Sequence, residues 1–107
     1  MNCKDIFDYH GWREQCKKIT EEIYELVECI HDYECLSGDG SIEANYKHMI
    51  EEIADVELLL DEIKQKYMIN KEEVSYWKSY KFKREIKRIK DGYYSRKQNT
   101  KTSNKVS

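Results

Sequence analysis

From Trp12 to Tyr33 the apolar residues Trp12, Cys16, Ile19, Ile23, Leu26, Ile30 and Tyr33 recur at spacings of 4, 3, 4, 3, 4 and 3. That rhythm follows the turn of an α-helix, whereas a half-buried strand would alternate every second residue. A second series, Ile42, Tyr46, Met49, Ile53, Val56, Leu60, Ile63 and Tyr67, keeps the same period. Two long amphipathic helices therefore dominate the chain. Its 107 residues include no proline and four glycines, so little interrupts them. No stretch alternates like a strand, and no internal repeat is present.

The first helix is expected from Asp5 or Asp8 to Tyr33, and the second from about Ser41 to Tyr67. Between them "SGDGS" (Ser37 to Ser41) breaks the periodicity. Asn70 and Glu73 have the spacing of a capping box for a third helix, Lys71 to about Lys90, with Gly92 as its stop. From Arg96 onward "RKQNTKTSNKVS" reads as a disordered basic tail, which leaves 1–95 as one domain and 96–107 outside it. The expected fold is all-α, a bundle of three main helices. So short a chain cannot enclose three apolar faces, so homo-oligomerisation, as a homodimer or homotetramer, should complete the bundle.

Charged residues make up 37 % of the chain, and no apolar run approaches a membrane span. With no signal peptide ahead of the first helix, a cytoplasmic protein is expected. Cys3, Cys16, Cys29 and Cys35 have no zinc-like spacing and are expected as reduced thiols, Cys16 packed under the apolar stripe. The net charge of −2 conceals a polarity: residues 1–62 hold 17 acids and 5 bases, and residues 63–107 hold 4 acids and 14 bases.

Part of that acidity is ordered. With Ile19 as zero, Gln15, Glu22, Lys18 and Glu25 lie on one flank of the first stripe, at about −40°, −60°, −100° and −120°. With Ile53 as zero, Glu52 and Asp55 lie at about −100° and −160° on the second helix. About four acid pairs at this spacing arise by chance in such a chain, so one pair says little. Both pairs, however, border an apolar stripe and open an apolar run, "EEIYEL" and "EEIADVELLL". If the flanks face each other, four carboxylates converge, and hard cations such as Mg²⁺ or Mn²⁺ would neutralise them. Leu59, on the same flank, would wall the site. Leu58 would point away from it, toward a second subunit.

"TEEIYEL" followed by "EEIAD" resembles the E-x-x-E…E-x-x-D signature of the all-α, MazG-like NTP pyrophosphohydrolases. "WREQCKKI" is similar to that family's glutamine and lysine ahead of the first glutamates, and "YKFKREIKRI" to the basic helix that closes its small members. The likeness spans Trp12 to Ile89. It implies that Glu22, Glu25, Glu52 and Asp55 bind Mg²⁺, with Mn²⁺ as a substitute, and that a nucleoside triphosphate is cleaved to the monophosphate and pyrophosphate. Glu22 and Glu25 would be catalytic; one of the four carboxylates would accept the proton, with Glu25 as the first choice among them. One departure is Tyr24, where many members carry a small residue.

Lys81, Arg84 and Arg88 form a basic stripe on the third helix, beside an apolar stripe of Phe82, Ile86, Ile89 and Tyr93. Phosphate binding suits these cations. Gln15 and Lys18, near the carboxylates, are expected to contact substrate. Trp12 reads as a core residue, with stacking on a nucleotide base as its second role. Basic and aromatic residues interleave in the third helix as in a nucleic-acid binder, but the acidic body opposes a long polyanion. A non-catalytic helical interaction module is the other alternative. Glu28 and His31 form a lone E-x-x-H unit where di-iron bundles need two. His48 reads as a surface histidine, "SGDGS" is no Walker loop, and no covalent nucleophile is apparent.

Overall fold

A computed structural model describes residues 1–36 and 41–94. Those residues form four helices and no strand: α1 Cys3–His10, α2 Trp12–Cys35, α3 Ile42–Lys66 and α4 Lys71–Lys90. The basic tail over 96–107 and most of the "SGDGS" break lie outside the described residues.

The single first helix expected from the apolar period is two helices. Gly11 separates them at φ 85°, ψ 158°, a conformation open essentially to glycine alone. Asn2 and Asp5 start α1 with a reciprocal capping box: the Asp5 N–H donates to Asn2 Oδ1 at 3.0 Å, and the Asn2 N–H to Asp5 Oδ2 at 2.8 Å. α1 buries Phe7, whose ring meets Tyr67 edge-on at 5.5 Å between centroids. Asp8 pairs with Lys4 and with Lys66 near the end of α3. Hydrogen bonds from those two ammonium groups hold its carboxyl below the usual range.

The other helix limits follow local signals. Ser41 Oγ accepts from the Ala44 N–H at 3.1 Å to open α3, and Asn70 Oδ1 accepts from the Glu73 N–H at 3.0 Å to open α4. Gly92, at φ 76°, donates its N–H to Ile89 O and ends α4 as its position predicts.

The chain forms two compact units, one from Met1 to Ile69 and one from Asn70 onward. In the first, α2 and α3 run antiparallel. Gln15 Nε2 donates to Glu62 Oε1 at 2.6 Å near one end, and Asn45 Nδ2 donates to Asp32 O at 3.3 Å near the other. The contact face is not the apolar stripe. It is the polar flank beside it, where Gln15 and Cys29 on α2 and Asn45, Glu52, Leu59 and Glu62 on α3 are buried. Much of the stripe instead stays open: Trp12 is 58 % exposed, and Ile23, Ile30, Ile53 and Leu60 are each exposed by 40 % or more, while Ile19, Leu26, Met49, Val56 and Ile63 are half-buried.

Two expectations are corrected here. Trp12 is not core; the Arg13 guanidinium lies over its ring at 4.9 Å. Cys16 is exposed rather than packed. Periodicity reports that a helix has an apolar face and is silent on what covers it. Within one chain α2 and α3 meet instead through a face whose buried amides find oxygen acceptors across the gap. In the second unit α4 buries none of its residues, so its expected apolar stripe is also exposed. Among the described residues, no helix is long and apolar enough to cross a membrane.

Candidate metal centre

Midway along the α2–α3 contact, Glu22 faces Glu52 and Asp55. One oxygen from each lies within 4.8 Å of the others. The i, i+3 spacing brings Glu52 and Asp55 to the same side of α3, and the antiparallel register sets Glu22 opposite them. Glu52 is only 8 % exposed. Oε2 of Glu22 and Oε2 of Glu52 are buried and accept no hydrogen bond from any protein group.

Carboxylates packed this way cannot all stay charged unaided. Burial, a hydrogen bond shared with Glu52, and the negative charge of Glu25, Asp55 and Glu52 raise the Glu22 carboxyl to about 7. A proton can relieve the repulsion. So can a cation, and a divalent one would use both orphaned oxygens. The residues present therefore fit a hard ion such as Mg²⁺ or Mn²⁺, which takes oxygen ligands and keeps several waters.

Two cavities flank the carboxylates. One of about 150 Å³ is lined by Lys18, Glu22, Asp55, Leu58, Leu59 and Glu62. The other, about 370 Å³, is lined by Glu25, Glu28, Cys29, Asp32, His48 and Glu52. Of the four expected carboxylates, Glu22, Glu52 and Asp55 thus form one group, while Glu25 lines the larger cavity and acts on Glu22 through its charge. Leu59 is the expected apolar wall. Leu58 differs from expectation: it borders the smaller cavity, because Asp55 stands one turn before it.

The residues expected to contact substrate belong to both units. Lys18 lines the smaller cavity with Glu22 and Asp55. Gln15 is 1 % exposed, its amide held by Glu62. Lys81, Arg84 and Arg88 lie on α4 in the second unit. There the Arg84 guanidinium sits 5.9 Å from the Tyr80 ring and that of Arg88 5.2 Å from the Tyr93 ring.

Cys29 and His48, the one not expected at a site and the other expected as a surface histidine, also meet at Glu52. Each has an atom within 4.8 Å of Glu52 and of the other. A signal existed, since Cys29 lies one turn beyond Glu25, at about −80° on the same flank, and His48 one turn before Glu52. No protein-family model matches the chain, and no curated protein and no solved structure matches it.

Proposed function

We propose that the chain is a divalent-cation-dependent nucleoside triphosphate pyrophosphohydrolase of MazG-like type, cleaving a (d)NTP to the (d)NMP and pyrophosphate. The observation that carries this reading is the group of Glu22, Glu52 and Asp55 with its two buried, unpartnered oxygens. Those three side chains would hold Mg²⁺ or Mn²⁺. When bound, the ion would lower the pKa of a coordinated water and offset charge developing on the phosphates. Lys18, at the same cavity, would pair with a phosphate oxygen. Water attacks the α-phosphorus, Glu25 accepts its proton, and the α–β bridging oxygen leaves with pyrophosphate. Leu58 and Leu59 keep one wall apolar. The cations Lys81, Arg84 and Arg88 of α4 suit phosphate oxygens by their charge.

The outward apolar stripe supports assembly: Ile23, Ile30, Ile53 and Leu60 make a face that a second copy of the chain would cover in a homodimer or homotetramer. A cytoplasmic setting goes with this reading.

The same face favours a second reading, a non-catalytic module that binds another helical protein. Incubation of the full chain with a panel of NTPs and dNTPs, with and without Mg²⁺, separates the two. Monophosphate and pyrophosphate, lost on chelation and in Glu25→Gln, are the expected products. An absence of turnover with every nucleotide would leave the binding module.

A further inference from the structure

The larger cavity carries chemistry that the carboxylate group does not use. Three donors of different kinds meet at its wall: the Cys29 thiol from α2, and the His48 imidazole and Glu52 carboxylate from α3. Cys29 is 5 % exposed. The His48 ring is exposed and places Nε2 3.7 Å from Glu52 Oε1. Glu52 Oε2 is buried and has no hydrogen-bond partner. One oxygen of this carboxylate, which is more than nine-tenths buried, thus stays uncompensated although the group shares a hydrogen bond with Glu22.

We propose that Cys29, His48 and Glu52 form a second cation site, one for a borderline-soft divalent ion of the Zn²⁺ class. A sulfur, nitrogen and oxygen donor set suits Zn²⁺ and is foreign to Mg²⁺. Three protein ligands leave a fourth tetrahedral position open to the cavity, where water fits. Ordinary zinc bond lengths put tetrahedral ligand atoms about 3.4–3.6 Å apart. The three donor atoms lie within 4.8 Å of one another, so closing the set takes no more than about 1.4 Å, and the exposed imidazole is free to rotate toward the other two. Sulfur binds as the thiolate, its proton passing to solvent. The carboxylates of Glu25, Glu28 and Asp32 on the same wall make the cavity attractive to a cation.

Glu52 is common to both donor sets. If the hydrolase reading holds, a soft ion draws that carboxylate from Glu22 and Asp55, and Zn²⁺ opposes Mg²⁺. This consequence rests on that reading; the binding itself does not.

Co²⁺ is the probe, titrated into the full chain carrying Cys3→Ser, Cys16→Ser and Cys35→Ser. Those replacements leave Cys29 as the sole thiol, and they remove Cys35, whose sulfur lies 3.6 Å from His31 Nε2 and would compete. The expected result is one Co²⁺ per chain with a thiolate-to-cobalt charge-transfer band, displaced by Zn²⁺ but not by Mg²⁺. Adding Cys29→Ser abolishes the band. Because His48 is exposed, His48→Ala preserves the fold and weakens Co²⁺ binding by about tenfold or more. The absence of a charge-transfer band, or an affinity unchanged in His48→Ala, overturns the proposal. No nucleotide enters the titration, so this site and the hydrolase reading can fail separately.

Discussion

Burial, a shared hydrogen bond with Glu52 and two further negative neighbours raise the Glu22 carboxyl to about 7 from an ordinary 4.5. Between those values the folded chain holds a proton that the unfolded chain has released. The contribution of this group is therefore complete below pH 4.5 and lost as pH rises through about 7. Chelator-treated protein should show a Tm that falls across that window, and Glu22→Gln should flatten the slope. Above the window a bound cation replaces the missing proton, so Mg²⁺ should raise the Tm of the unsubstituted chain. An unchanged Tm would count against a hard-cation site. At Gln15 the same accounting concerns a neutral group. Glu62→Ala leaves the buried Gln15 amide without its acceptor and should cost about 1–3 kcal/mol in urea denaturation.

Among the elements, the junction of α1 and α2 depends on one residue. Nothing lies within 4 Å of a Cβ built on Gly11, so a side chain there meets no clash. The obstacle is the backbone, which at φ 85°, ψ 158° is strained for any L-residue. Gly11→Ala should destabilise the chain by about 1–3 kcal/mol, read from thermal or urea melts. A cost near zero would mean that α1 and α2 tolerate fusion into one straight helix, as their apolar period alone suggests. α4 begins on a simpler device, the Asn70 side chain accepting from the Glu73 N–H. Asn70→Ala should cost about 1 kcal/mol and fray the first turn, measurable as lost amide protection there.

For the whole molecule the dominant fact is what the α2–α3 contact leaves outside. Ile23, Ile30, Ile53 and Leu60 keep helical spacing and remain substantially exposed, while Gln15, Glu52 and Glu62 are buried. The inverted distribution has a physical sense if the buried polar flank forms a site and the apolar stripe forms an assembly surface. Ile23→Lys and Ile53→Lys each put a charge on that surface without touching the buried flank. Both should preserve helix content and shift sedimentation toward a single chain. Assembly unaffected by either change would remove the stripe from any subunit interface.

The all-α class, the limits of α3 and α4, and the candidate carboxylates Glu22, Glu52 and Asp55 are legible in the amino-acid order alone. All of these rest on local relations: apolar period, capping residues such as Ser41 and Asn70, and i, i+3 spacing. Gly11 was visible, yet its strain is a property of two backbone angles that no spacing records. Which face of each helix meets the other is set by packing in three dimensions. That choice separates Glu25 from the carboxylate group, turns Trp12 outward and joins Cys29 to His48, residues from different helices with no motif between them. The reason is rotational. A turn of about 60–100° about a helix axis leaves its apolar period intact and changes every partner across the interface.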